Sequence, residues 1–199
     1  MIDEDTRRKR RILVLGTSAA GIIGGLGAAI PFIASMAPSA KARAAGAPVE
    51  VDLDGLEPGM MITLEWRGKP VWVLHRTDAM LESLEKIVDK VQDPSSAAPM
   101  QPSYALNAHR SIKPQYLVLV GICTHLGCSP TQKLAVGPAS GLGEDWNGGF
   151  FCPCHGSKFD LAGRVYKGVP APVNLEVPPH MYLSENSLVI GEEKEVDRK

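Results

Sequence analysis

The sequence predicts a mainly β, antiparallel head behind a single N-terminal transmembrane helix. Three observations predict it. From Val49 onward, short β-branched and aromatic runs alternate with turn residues. Ahead of that, Ile12 to Ala40 is a stretch of 29 residues without a charged side chain. Between the strand-like runs lie two short loops that hold all four cysteines and two of the five histidines.

The N-terminal segment comes first. Residues 1–11 carry Arg7, Arg8, Lys9, Arg10 and Arg11, and basic residues ahead of a span keep that end in the cytoplasm. About 20 apolar residues cross a bilayer as a helix, so residues 12–35 suffice as an anchor. Pro31 and Pro38 are expected to limit the regular helix to about Ile12–Phe32. Two arginine pairs, Arg7-Arg8 after Thr6 and Arg10-Arg11 before Ile12, resemble a twin-arginine export signal, and either fits. The small residues around Ser39-Ala40-Lys41-Ala42 also suit a cleaved signal, but the length of the span favours a retained anchor. Gly21 and Gly25 form a small-xxx-small pair, a weak sign of close helix approach in so Gly/Ala-rich a segment. Residues 36–48 are small and poorly patterned and read as a tether.

The head, residues 49–199, is long enough for one well-cored domain. Met61–Arg67 and Val71–Arg76 flank Gly68-Lys69-Pro70 as a hairpin. Tyr116–Ile122 is a near-continuous apolar strand entering the first cysteine loop. Phe150-Phe151 enter the second and Ser157–Asp160 leave it. Leu161–Tyr166, Met181–Leu183 and Ser187–Ile190 complete a meander. One helix is expected between Asp78 and Asp93-Pro94, with Leu81, Leu84, Ile87, Val88 and Val91 on its packed face. Twenty-one Lys and Arg stand against 22 Asp and Glu, for a formal charge of −1. That balance gives no footing for nucleic acid.

The chemistry sits in Cys123-Thr-His125-Leu126-Gly-Cys128 and Cys152-Pro-Cys154-His155-Gly-Ser157. Each loop offers a thiolate and an imidazole to one metal centre. By spacing, two centres stay open: tetrahedral zinc on a Cys₂His₂ set, and a [2Fe-2S] cluster in which two histidines replace two cysteines on one iron. The Cys-x-His pair is tight for a zinc knuckle, and zinc leaves the extra cysteine in each loop unexplained.

In full, the loops CTHLGC and CPCHGS resemble the Rieske iron–sulfur family. The resemblance runs from anchor to C-terminal half and implies a Rieske-type antiparallel β-sandwich with a small cluster-binding subdomain at about residues 117–172. It implies that Cys123, His125, Cys152 and His155 hold one [2Fe-2S] cluster per chain, and that Cys128 and Cys154 form a disulfide, where the alternative is two free thiols. Such a bond needs an oxidising compartment, and twin-arginine export suits a cluster inserted before translocation. With two thiolates rather than four, the oxidised core is formally neutral, which places its potential within roughly −150 to +300 mV. A ferric neighbour also lowers the pKa of the outer imidazole proton, coupling electron to proton at His125 and His155. Around them, Ser157 matches the family serine that donates to a cluster sulfide. Leu126 walls the histidines, and Pro170 lies in a loop, Gly168-Val-Pro170-Ala-Pro172, that covers the cluster from a third side. Phe159 departs from the pattern: many relatives have tyrosine here, whose hydroxyl donates to a ligand sulfur. His75, His109 and His180 lie outside any ligand spacing and are expected as surface or structural residues.

The chain looks like the Rieske subunit of a proteobacterial quinol–cytochrome c oxidoreductase. By that resemblance His155, with His125 beside it, accepts a hydrogen bond from ubiquinol, and the head then swings on the 36–48 hinge. Its partners are cytochrome b and a membrane-bound cytochrome c, in a dimeric complex with two copies of this chain. The implied location is the bacterial inner membrane, with the N-terminus cytoplasmic and the head periplasmic. Two rival functions are the Rieske subunit of an arsenite-oxidase-type molybdoenzyme and a non-redox, zinc-stabilised tethered domain.

Overall fold

The computed structural model describes residues 3–39 and 46–193. The chain divides into two units, Met1–Ala44 and Ala45–Lys199. The first is helix α1, Glu4–Ser35, none of whose residues is buried. It begins eight residues before the expected Ile12 and runs through Pro31. At the start, Glu4 and Asp5 occupy the first turn, where acidic groups complement the helix dipole, and Lys9 pairs with Asp5 at 2.7 Å. Pro31 removes one N–H donor near the helix end, which a helix of 32 residues tolerates. Residues 40–45 of the expected hinge lie outside the described residues.

The second unit is three antiparallel sheets of three strands each, in the orders β1-β9-β8, β2-β3-β4 and β5-β6-β7. The strands are β1 Val49–Asp52, β2 Met61–Trp66, β3 Lys69–His75, β4 Tyr116–Val120 and β5 Thr131–Lys133. They continue with β6 Gly149–Phe151, β7 Lys158–Phe159, β8 His180–Tyr182 and β9 Ser187–Ile190. Val71, Val73, Val118 and Val120 face Val51, Leu188 and Ile190 of the first sheet. On the opposite face, Trp72, Leu74, Leu117 and Leu119 pack against Phe150 and Phe159 of the third sheet, with Trp72 stacked on Phe150 at 4.8 Å. A strand buried on both faces reads as a continuous apolar run. That is why Val71–Leu74 and Leu117–Val120 show no alternation.

Several boundaries differ from expectation. The first hairpin turns on Arg67 and Gly68, at φ 52° and 70°. Two left-handed residues close a two-residue turn, so Lys69 and Pro70 join β3. Strand β4 stops at Val120 because Gly121 lies against the Trp72 indole, where no Cβ fits, and the Ile122 N–H turns back to the Val120 carbonyl. Helix α2, Asp78–Glu85, is half the expected length. It is capped by Thr77, whose hydroxyl accepts from Met80 N–H. Beyond it the chain unwinds so that Val91 can bridge to Tyr166, which leaves Val88 exposed while Leu84, Ile87 and Val91 are buried. Leu161–Tyr166 is not a strand: it opens in a turn, because Asp160 Oδ1 takes the N–H groups of Ala162 and Arg164, and only Val165 and Tyr166 form isolated bridges, to Phe159 and Val91. Strands β1 and β5 and the short 3₁₀ turns Ser103–Ala105 and Gly137–Ser140 have no counterpart in the sequence reading.

Candidate metal centre

The two cysteine loops share one backbone design. In the first, Cys123 N–H bonds to the Cys128 carbonyl and Gly127 N–H to the Cys123 carbonyl. In the second, Cys152 N–H bonds to the Ser157 carbonyl and Gly156 N–H to the Cys152 carbonyl. Gly127 and Gly156 both turn left-handed, at φ 84° and 78°, a conformation only glycine adopts cheaply. The first loop follows β4 through Gly121 and Ile122, and the second joins β6 to β7. Gly149 opens β6 where a side chain would run into the Phe159 carbonyl, so the last sheet closes tightly beneath the second loop.

This framework sets Cys123 beside Cys152 and His125 beside His155. Cys123 and Cys152 are free thiols, buried in the same apolar core as Phe150 and Phe159. The His125 and His155 rings meet edge to face at 4.8 Å. His125 Nδ1 is buried and has no hydrogen-bond partner, so the ring turns that nitrogen inward with nothing from the protein to receive it. His155 is exposed. Cys128 and Cys154 are bonded to each other, tying one loop to the other. The sulfurs of Cys128, Cys152 and Cys154 lie within 4.8 Å of one another, but the bonded pair has no thiolate to give. Only Cys152 of the three is a donor.

Burial pushes the Cys123 thiol above its ordinary pKa; the His125 backbone N–H pulls it back, the Cys152 thiol pushes it further, and Ser157 pulls it back. The Cys123 thiol therefore resists ionisation unless positive charge arrives beside it. Two sulfurs and an orphaned imidazole nitrogen beside a second imidazole therefore fit a metal centre with mixed sulfur and nitrogen coordination.

Ser157 is fully buried and its Oγ accepts the Ala171 N–H at 3.0 Å, leaving the hydroxyl proton to donate toward the sulfurs. Ala171 belongs to the Gly168–Pro172 loop, whose Pro170 is exposed. Phe159 is fully buried on β7. Leu126 stands 72% exposed beside His125. His75 bonds to the Leu56 carbonyl and stacks on Tyr116. His180, 1% exposed, bonds to the Pro178 carbonyl. His180 is thus no surface residue, and the half-buried His109 has a buried Nδ1 without a hydrogen-bond partner among the described residues.

Two features escaped the sequence reading. Thr124 Oγ1 donates to the Val173 carbonyl at 2.7 Å, fastening the first loop to the proline loop. Three arginines, Arg76, Arg110 and Arg164, are buried behind the second loop with Asp160. The i,i+4 spacing of Asp160 and Arg164 was the one sequence signal for these.

Comparison with known proteins agrees with the geometry. The family described as Rieske [2Fe-2S] domain matches residues 52–179. A second, described as Ubiquitinol-cytochrome C reductase Fe-S subunit TAT signal, matches residues 2–39. The ubiquinol-cytochrome c reductase iron-sulfur subunit of Allochromatium vinosum is 57% identical over 188 residues, covering 94% of this chain and 90% of that one. Its counterpart in Bradyrhizobium diazoefficiens is 41% identical over 190 residues, 95% and 96% of the two chains. That of Rhodospirillum rubrum is 43% identical over 183 residues, 92% and 91%.

Proposed function

Because the chain belongs to the Rieske [2Fe-2S] family, among the iron–sulfur subunits of ubiquinol-cytochrome c reductase, we propose how its residues carry that function. The chain takes one electron from ubiquinol, coupled to release of a proton, and passes the electron to a membrane-bound cytochrome c. It carries one [2Fe-2S] cluster, with Cys123, His125, Cys152 and His155 as the ligands. The observation that carries this assignment is the buried Nδ1 of His125, without a hydrogen-bond partner among the described residues, in the same pair of loops as the two buried free thiols Cys123 and Cys152. When bound, the cluster supplies a one-electron acceptor of high potential for a [2Fe-2S] centre.

The rest is the work of this chain's own groups. His155, exposed at the loop tip, presents its outer ring nitrogen to the quinol hydroxyl and takes the proton as the electron leaves, with His125 beside it. An imidazole that gives one nitrogen to a metal keeps proton exchange at the other. Leu126 shields the histidine edge from water and offers the quinol an apolar wall. Ser157 donates its free hydroxyl proton to a sulfur, and Pro170 caps the third side. Cys128–Cys154 holds the two ligand loops at a set separation.

In the assembly, the head docks on cytochrome b, swings on residues 36–48 and meets the cytochrome c subunit, with two copies in a dimeric complex. The chain sits in the bacterial inner membrane with its N-terminus cytoplasmic and its head periplasmic. Support comes from the export-signal match over residues 2–39, from a helix long and apolar enough to cross a membrane, and from the disulfide. Electron paramagnetic resonance of the reduced membrane complex tests the reading. The expected result is a [2Fe-2S] spectrum that changes when a quinol-site inhibitor is added. A silent sample that contains zinc and no acid-labile sulfide overturns it.

A further inference from the structure

Behind the second ligand loop lies a group of charges that the reaction above does not use. Arg76, Arg110, Asp160 and Arg164 are each at most 1% exposed, and among the described residues no Lys, no Glu and no other Asp is buried. Three guanidinium charges stand against one carboxylate, an excess of two. Arg164 Nε pairs with Asp160 Oδ2 at 2.6 Å. Among the described residues Arg76 and Arg110 form no ion pair, although Asp160 acts on both and the half-buried Asp93 on Arg110. Arg76 donates to the carbonyls of His109, Pro114 and Leu161 and to Ser111 Oγ. Arg110 donates to the carbonyls of Met100, Ala162, Gly163 and Leu175 and to Gln101 Oε1.

Each arginine reaches the turn 160–164, Arg76 at the Leu161 carbonyl, Arg110 at the Ala162 and Gly163 carbonyls and Arg164 at Asp160, and that turn follows β7 directly after the second ligand loop. Asp160 lies three positions after Ser157, so their Cα atoms lie within about 11 Å. The neighbouring Leu161 and Ala162 share the core that holds Cys123 and Cys152. Burial lowers the Arg76 guanidinium to about 9 and the Arg110 guanidinium to about 10, with Asp160 opposing the fall in both. Both therefore stay charged at neutral pH. Burying an unpaired guanidinium is costly, and a brace for the turn needs hydrogen bonds but no net charge.

We propose that Arg76, Arg110 and Arg164, outnumbering Asp160, act as a fixed buried cation that raises the reduction potential of the cluster, a proposal that rests on the ligand assignment above. A positive charge in a weakly screened interior favours the reduced, more negative state of a nearby redox centre. None of the four residues touches the ligands, so they are positioning residues for the field and not catalytic ones. The excess works in the direction of the phenolic donor that Phe159 lacks.

Redox titration of the intact membrane complex, followed by paramagnetic resonance, tests the proposal with Arg110→Gln, Arg110→Lys and Asp160→Asn. Arg110→Gln lowers the potential and Asp160→Asn raises it. Each moves the ratio of reduced to oxidised cluster at a fixed ambient potential by roughly fourfold to tenfold, as a unit charge about 12–20 Å off does at an effective dielectric of about 20. Arg110→Lys keeps the parent potential, and added salt leaves the shifts in place because the charges are buried. Spectral line positions stay put in all three. The proposal is overturned if the glutamine and asparagine variants shift in the same direction or not at all. Equal shifts for Arg110→Lys and Arg110→Gln overturn it too, since shape and not charge then matters. Should Arg110→Gln fail to assemble, Arg76→Gln against Arg76→Lys makes the same comparison. A parent complex without iron–sulfur signal refutes the ligand assignment instead, a result distinct from an unmoved potential.

Discussion

Phe159 shows how one missing atom sets a property of the whole chain. The ring is fully buried on β7 in the core that contains both free thiols. A hydrogen bond that favours the reduced state by about 1 kcal/mol corresponds to roughly 40 mV for one electron. Phe159→Tyr is therefore expected to raise the midpoint potential by roughly that amount in voltammetry; an unchanged potential removes the idea. Ser157 works on two sides at once. Ser157→Ala takes the acceptor from the buried Ala171 N–H as well as a donor from the sulfurs. It is expected to lower the potential and to cost about 1–3 kcal/mol of stability, seen as a lower unfolding temperature. A variant with the parent's potential and melting point argues that the hydroxyl points elsewhere.

Single loops and strands carry the next set of consequences. The disulfide spans a sequence separation of 26 residues and joins loops that belong to different strand connections. The chain-entropy account gives its closure roughly 3.5 kcal/mol, or about 10 °C for a head of this size. Replacing Cys128 and Cys154 with serine should lower the melting temperature by that order and speed cluster loss, while all four ligands remain in the sequence. Strand β8 opens on His180, whose pKa burial lowers, with the Pro178 carbonyl opposing. A folded value below the unfolded one means that the unfolded chain binds more protons. The histidine's contribution is thus whole above about pH 6.5 and is lost as pH falls below it. His180→Gln should flatten that part of the stability–pH curve relative to the parent, as chemical denaturation would show. An identical slope in both proteins excludes His180 as the titrating group.

At the scale of the molecule, the chain is two units, a long apolar helix and a head that contains every group named in the chemistry. The middle sheet, buried on both faces, gives the ligand loops a stiff base through Trp72 and Phe150. A head released by removing residues 1–45 is expected to keep the cluster spectrum and potential of the full chain and to lose quinol oxidation in the complex. Retained turnover would show that neither anchor nor hinge is needed.

The candidate ligand set could be proposed from the sequence because each donor pair is local. A cysteine and a histidine two or three residues apart face one point whatever the distant chain does. The same holds for the uncharged run of the anchor and the unbroken apolar stretches of β3 and β4. Other features depended on residues far apart in sequence and so showed no period or spacing. The early end of α2 was decided by Val91 reaching Tyr166, a tertiary bond stronger than the local helical pattern. Four cysteines allow three pairings, and only the meeting of the two loops made Cys128–Cys154 the one formed. The buried arginines read as ordinary surface charge until packing enclosed them, because burial is a property of the assembled layers and is written in no single stretch of chain.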